Sequence, residues 1–200
     1  MGFLTNKTAI ITGAGRAVLS DGRCGSIGYG IATAYAKEGA NLAITGRNVK
    51  KLEAAKERLE GEFGIRVLPI QADVNAQADN QAVVQSAVDQ VIAEFGRIDA
   101  LVNNAGIAQQ KLLTDITDED WRRMLDVNLS GAFYVIRAVL PGMISRKHGS
   151  IVNVSSVWGQ VGASCEVHYS AAKAGLIGLT RALAKEVGPS GVTVNCVCPG

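Results

Sequence analysis

The residues whose types and spacing can do chemistry sit late in this chain. Tyr169-Ser-Ala-Ala-Lys173 sets a phenol and an ammonium four positions apart, and Ser156 stands thirteen residues before the tyrosine. Residues at i and i+4 share one face of a helix. An ammonium beside a phenol favours the phenolate, so Tyr169 is expected to titrate below an ordinary phenol. A phenol tuned in that way passes a proton to or from a carbonyl/alcohol pair, while a serine hydroxyl holds the oxygen.

Those residues need a scaffold, and the pattern of the chain supplies one. Strand-like apolar runs fall at Thr8–Thr12, Asn41–Thr45, Arg66–Gln71, Ile98–Asn103, Ser150–Ser155 and Val192–Val197. Helical patterns fall between them, at Ile27–Glu38, Val49–Phe63, Gln77–Phe95 and His168–Val187. A further helix is expected from a capping box at Thr117-Asp-Glu-Asp120 to about Leu140. Strict alternation implies right-handed βαβ crossovers. The expected fold is therefore one α/β domain over residues 1–200, a doubly wound parallel sheet of Rossmann type in three α/β/α layers. Ligands of such a sheet bind at the carboxyl ends of the strands. Only Cys198-Pro-Gly200 follows the last strand, whereas such a sheet is ordinarily closed by a further helix, so a C-terminally incomplete domain is expected.

The cofactor end is read from glycines. Ile11-Thr-Gly-Ala-Gly-Arg16 follows the first strand, and Ser26-Ile-Gly-Tyr-Gly-Ile-Ala32 opens the first helix. Glycines let backbone approach a pyrophosphate, and a helix start offers unpaired N–H groups; a plain tight turn is the competing explanation. The intervening Ala17–Gly25 carries Asp21, Arg23 and Cys24, and reads as a surface loop or as a flap over the phosphates. After the second strand comes Thr45-Gly-Arg-Asn48, without the acidic residue that an NAD site places there for the ribose 2′-hydroxyl. Arg47 can instead pair with a 2′-phosphate, so NADP(H) is expected to be preferred, with NAD(H) possible. Asp73-Val74 and Asn103-Asn-Ala-Gly106 end the next two strands and can hold adenine and ribose; Asn-Ala-Gly also suits a simple turn.

Composition narrows the partners. The chain is 48% hydrophobic with a net charge of +2, from 20 basic and 18 acidic residues. That balance gives no reason to expect nucleic acid or an anionic membrane as partner. The N-terminus lacks the apolar run of a signal peptide, and no stretch reads as a membrane span, so a cytoplasmic protein is expected. Cys24, Cys165, Cys196 and Cys198 fit neither zinc nor redox spacing and are expected to be reduced and structural, with Cys196 and Cys198 on opposite faces of the sheet.

Taken together, the chain resembles the short-chain dehydrogenase/reductase family. The matching stretches are Thr12-Gly-Ala-Gly15 with Ser26-Ile-Gly28, Asp73-Val74, Asn103-Asn-Ala-Gly106, Asn128 in Val-Asn-Leu-Ser-Gly131, Ser156, Tyr169-x-x-x-Lys173 and Asn195-Cys-Val-Cys-Pro-Gly200, in family order. The nearest resemblance is to bacterial 3-oxoacyl-[acyl-carrier-protein] reductases. It implies reduction of a ketone, with a 3-oxoacyl thioester, small or carried on a protein, as substrate. Tyr169 is then the general acid, Lys173 the ribose ligand that tunes it, Ser156 the hydrogen-bond donor to the substrate oxygen, and Asn128 the support of a proton-relay water. Gly13, Arg16, Ile27, Arg47, Asp73, Val74 and Asn104 would contact the dinucleotide, with Ser26, Gly28, Ala105, Gly106, Pro199 and Gly200 on the same surface. No metal is implied; a homotetramer or homodimer is, and so are a C-terminal strand and substrate lid outside these 200 residues.

The chain departs from the family where the nine residues Ala17–Gly25 split the phosphate turn and Ser26 replaces its middle glycine. The longer loop resembles enoyl-[acyl-carrier-protein] reductases, but those space their Tyr and Lys seven apart, so ketone chemistry is favoured over C=C reduction. A sugar or polyol dehydrogenase is the nearest alternative, and a non-catalytic NADPH sensor or scaffold the alternative of another class. Trp158 and Gln160 are expected to border the substrate. His168 is expected to cap its helix or face solvent, and Trp121 to be packed core.

Overall fold

A computed structural model describes residues 2–17, 19, 25–73 and 80–200. Within them, β1 (Thr8–Thr12), β2 (Asn41–Gly46), β3 (Val67–Gln71), β4 (Ala100–Asn103), β5 (Gly149–Val154) and β6 (Val192–Val197) form one parallel sheet in the order β3-β2-β1-β4-β5-β6. The order reverses between β1 and β4, which makes a crevice at their carboxyl ends. β1 lies centrally and is buried at all five positions, as an uninterrupted apolar run in a parallel sheet requires. Pro69 is confined to the edge strand β3, where a missing N–H costs no ladder bond to an inner neighbour.

The connections are helical. α1 (Ile27–Lys37) and α2 (Val49–Phe63) cover one face of the sheet through Ala32, Ala36, Leu52, Ala55 and Leu59, which pack on Ile11, Leu42 and Ile44. α3 (Asn80–Phe95), α5 (Gly131–Ser145) and α7 (Val167–Val187) cover the other, where Val88, Val139 and Val187 join Ile10, Leu101 and Ile151. Alternate residues of each strand thus feed two separate cores, giving the expected three layers. The ends of α2 are written in its sequence: Asn48 accepts from Lys51 N at 3.0 Å as N-cap, and Gly64 closes the helix at φ 65°.

The capping-box helix is longer and less regular than its pattern suggests. α4 (Asp118–Leu125) opens on the expected box, with Thr117 and Asp120 bonded reciprocally. It then passes through one π-helical turn, Asp126–Ser130, into α5. The continuous helix Asp118–Ser145, of 28 residues, is long and apolar enough to span a membrane by length and composition, contrary to the sequence expectation. Met124, Val135, Ile136, Val139 and Met143 are instead buried in the protein. A short helix, α6 (Trp158–Val161), lies between Ser156 and α7 and was not anticipated.

Two packing expectations are corrected. Trp121 stands on the outer side of α4 and is 37% exposed, so it is not core. Cys196 and Cys198 lie on one side of β6, near enough for their thiols to interact. Side chains two apart on a strand share a face, and this one also carries the buried Val192 and Val194.

Candidate active site

The carboxyl end of β1 is locked to that of β4. Thr12 Oγ1 accepts from the backbone N–H groups of Asn104 and Ala105, both at 3.0 Å. Asn104 Nδ2 returns bonds to the carbonyls of Thr12 (2.9 Å) and Gly13 (3.3 Å). Gly13 sits at φ 69°, a left-handed conformation open to glycine. A Cβ on Gly28 would stand 2.3 Å from Gly13 O and 2.5 Å from Asn104 Nδ2, so the start of α1 touches the turn backbone to backbone. Ser26 is the N-cap of α1: its hydroxyl accepts from Tyr29 N and donates to Gly15 O. The serine in place of a glycine therefore closes the turn onto the helix.

Beside this cradle lies a cleft of about 370 Å³ lined by Gly13, Arg47, Asp73, Ala105, Gly106 and, unforeseen from sequence, Arg123 and Val127 of the α4 segment. Ile107 lines it as well. Arg16 is held beside α2 by a bond from its N–H to Lys51 O at 2.8 Å. Glycine backbone and a helix start beside a cleft lined by guanidinium groups fit a dinucleotide, whose phosphates would lie at Gly13–Gly28 and whose adenosine end at Arg47 and Asp73. Ile27, 60% exposed, opens α1 at its edge. Val74, Arg23 and most of the Ala17–Gly25 insertion lie outside the described residues.

The proton-handling groups gather at the other end. Ser156 follows β5 and is buried; its Oγ accepts from Trp158 N at 3.2 Å and is hydrogen-bonded to Tyr169. Lys173 is 4% exposed, donates to Val154 O at 2.8 Å and lies 5.7 Å from the centre of the Tyr169 ring. The lysine is thus beside the ring, as the i, i+4 spacing requires, with one of its N–H groups donated to the sheet. Burial lowers the Lys173 pKa to about 8. Tyr169 does not follow the sequence expectation. Burial raises its pKa, the Ser156 bond opposes that, and the Glu166 carboxylate adds to it. A protonated phenol, a hydroxyl and a buried amine on one wall form a constellation able to donate a proton to a carbonyl oxygen.

Asn128 sits on the π turn, 2% exposed. Its Nδ2 donates to the carbonyls of Ile107 and Met124, both at 3.0 Å, and its Oδ1 accepts from Ile107 N at 3.2 Å. The side chain is spent on fixing the segment after β4, so any relay water would be held by other groups. The same packing forces Gly106, whose Cβ would stand 2.7 Å from Asn128 Oδ1. Trp158 (41% exposed) and the exposed Gln160 lie on α6, adjoining Ser156. Pro199 and Gly200 lie beside Val157, whose N–H donates to Pro199 O at 2.8 Å; they border the Ser156 end rather than the cleft. His168 is the largest departure: it is fully buried and bonded to Gln109, neither a cap nor solvent-facing. No cluster of three metal-ligating side chains occurs among the described residues.

The short chain dehydrogenase family model matches residues 7–200. The chain belongs to that family. It is accordingly an NAD(P)-dependent oxidoreductase of secondary alcohols and ketones. It is 44% identical over 200 residues to a 12α-hydroxysteroid dehydrogenase of Clostridium sp., covering all of this chain and 74% of that protein. It is 40% identical to a 3-oxoacyl-[acyl-carrier-protein] reductase of Chlamydia muridarum, over 99% of this chain and 75% of that protein. Among solved structures, L-sorbose reductase from Gluconobacter frateurii, complexed with NADPH and L-sorbose, superposes with a TM-score of 0.89 at 33% identity. That match covers all of this chain and 71% of the other.

Proposed function

We propose that this protein uses NADPH to reduce a ketone on an apolar body to a secondary alcohol, with a 3-oxoacyl thioester as the first-choice substrate. The observation that carries the reaction is the Ser156–Tyr169–Lys173 wall, with Tyr169 protonated and Ser156 bonded to it. Arg47 in the cleft, with no acidic residue beside it in Gly46–Asn48, supports NADPH over NADH. The apolar body is supported by the exposed Leu112, Leu113, Trp158, Val161 and Val167, which lie on the segments flanking Ser156 and Tyr169.

In this reading the bound cofactor supplies the hydride, and the chain supplies position and the proton. Gly13, Arg47, Asp73, Ala105 and Gly106 hold the dinucleotide along the cleft. Ser156 donates its hydroxyl hydrogen to the ketone oxygen, and Tyr169 gives up the proton that completes the alcohol. Lys173, charged below about pH 8, turns from Val154 O to donate to the nicotinamide ribose and stabilises the phenolate left behind. The outward groove between α5 and α7, lined by Phe133, Leu140, Leu179 and Leu183, would receive a second copy of the chain.

A keto-steroid is the second reading, favoured by the 44% identity to a 12α-hydroxysteroid dehydrogenase. The test follows NADPH absorbance with an acetoacetyl thioester, a 12-keto bile acid and L-sorbose. Turnover of the thioester above the others supports the first-choice substrate. Preference for the steroid selects the second reading, and preference for the sugar overturns the apolar one. Tyr169→Phe should abolish turnover while leaving NADPH binding within roughly twofold; full activity would remove Tyr169 from the chemistry.

A further inference from the structure

Three consecutive residues after Ala108 are each bonded to the loop that delivers Tyr169. Gln109 Oε1 lies 3.0 Å from His168 Nε2, Gln110 Nε2 donates to Glu166 Oε1 at 3.3 Å, and Lys111 N donates to Cys165 O at 2.8 Å. The two segments run in opposite directions and close like a clasp. Its far end is strained, with Cys165 at φ 62°. Its near end is His168, fully buried and adjacent in sequence to Tyr169.

The clasp is anchored on one carboxylate. Asp120 accepts from Gln109 Nε2 at 3.0 Å and Lys111 Nζ at 2.6 Å, and from Thr117 N and Oγ1 at 3.1 and 2.9 Å. The capping box of α4 therefore serves two purposes. Because the Gln109 amide donates to Asp120, its oxygen must accept, and His168 must carry its proton on Nε2. His168 Nδ1 is buried with no hydrogen-bond partner. Leaving such a group unpaired is costly, so the arrangement is held by what it positions. Beyond Asp120, the same helix presents Arg123 and Val127 to the cofactor cleft and ties Asn128 to Ile107.

We propose that this clasp, anchored on Asp120 and closed on His168 and Glu166, sets Tyr169 against the cofactor cleft, making Gln109, Asp120 and His168 positioning residues for ketone reduction. The inference rests on Tyr169 being the general acid. The clasp also keeps Glu166 one helical turn before Tyr169, where its charge favours the protonated phenol. The other polar and titratable groups at Tyr169 are Ser156 from the end of β5 and Lys173 from α7, and Cys196 of β6 acts on Lys173. On the far side of Glu166 and His168 stand Gln110, Gln109, Lys111 and Asp120.

The experiment compares Gln109→Met, His168→Gln, His168→Leu and Glu166→Gln with the parent and with Tyr169→Phe, using NADPH and the best ketone from the panel above. Gln109→Met is expected to lower kcat about tenfold or more, with cofactor Kd and ketone KM changed less than roughly threefold. The fall of kcat at high pH should begin at lower pH in Glu166→Gln, because the carboxylate that favours the protonated phenol becomes a neutral amide. His168→Gln, which keeps an N–H for Gln109, should hold more activity than His168→Leu. An unchanged kcat in Gln109→Met, together with a Glu166→Gln pH profile superimposable on the parent's, would overturn the proposal. So would losses in the four variants that vanish below their unfolding temperatures. If Tyr169→Phe remains active, the general-acid reading itself fails, a result distinguishable from failure of the clasp.

Discussion

The close contact between α1 and the glycine turn makes Gly28 the most exacting position in the molecule. In Gly28→Ala the new methyl would lie 2.3 Å from Gly13 O, 2.9 Å from Gly13 C and 2.5 Å from Asn104 Nδ2. Ordinary contact requires a separation of about 3.5–4 Å, so helix and turn must part by roughly 1 Å. None of this strain comes from the glycine's own backbone angles, which are helical. Lodged against both atoms, the methyl displaces the 3.3 Å bond from Asn104 to Gly13 O, worth about 1 kcal/mol, and overpacks a site where both neighbours are tethered, at about 1–3 kcal/mol. Replacing glycine within a helix returns up to about 1 kcal/mol. The net expectation is a stability loss of about 1–3 kcal/mol, with the fold retained.

Cofactor affinity should suffer more than stability does, since a displacement of about 1 Å removes the phosphate seat at the helix start. Fluorescence titration with NADPH should show Kd raised by about a hundredfold, equivalent to about 2.7 kcal/mol. Urea unfolding of the same protein gives the stability term. Gly178→Ala is the control: nothing lies within 4 Å of its added methyl, so it should stabilise α7 by up to about 1 kcal/mol and leave Kd alone. A Gly28→Ala protein that binds NADPH within roughly twofold of the parent would refute the reasoning, because it would mean that phosphate recognition does not depend on this contact.

Two further outcomes follow from the cleft. Arg47→Asp should lower kcat/KM for NADPH about 10- to 100-fold and leave NADH unchanged or improved, the worth of a charge-assisted pair; an unaltered NADPH/NADH ratio in steady-state kinetics would count against Arg47 as the 2′-phosphate ligand. Burial lowers the Lys173 pKa to about 8, so the ammonium is present below that pH and lost above it, and NADPH should bind progressively less tightly as pH rises through 8. Lys173→Met should flatten that dependence; a Kd that stays constant across the range in the parent would show that the ammonium contributes nothing to binding.

Much of the fold was legible because its signals are local. The limits of α2 and β6 follow from Asn48, Gly64 and an unbroken apolar alternation, and the sequence places them where the structure does. The Ser156, Tyr169 and Lys173 cluster was legible for the same reason, as helix and strand ends bring it together. What escaped depends on distant partners. His168 reads as an ordinary surface histidine until Gln109, 59 residues away, is brought against it. Arg123 carries no signature in its own helix that tells it faces a cleft. The π turn at Asp126–Ser130 leaves the apolar period nearly unbroken, so the pattern passes through it as one helix. Spacing put Lys173 beside the Tyr169 ring but held no information on where its amine points or on how deeply the phenol is buried, and burial is the largest influence on its pKa.

The corrected sign at Tyr169 bears on the direction of catalysis. A general acid must keep its proton until the transition state, and a phenol whose affinity had been drawn down to neutrality in the free enzyme would enter the reaction partly spent. Here burial and Glu166 hold the proton, Ser156 opposes them, and the Lys173 ammonium donates to Val154 O. In the proposed mechanism, stabilisation of the phenolate is deferred to the complex, where Lys173 would donate to the ribose. An interaction stronger in the transition state than in the ground state is the kind that accelerates a reaction rather than merely tightening binding. Alcohol oxidation needs the phenolate instead, so the same shift moves its onset to higher pH. Reduction therefore keeps its acid to higher pH than an ordinary phenol would allow.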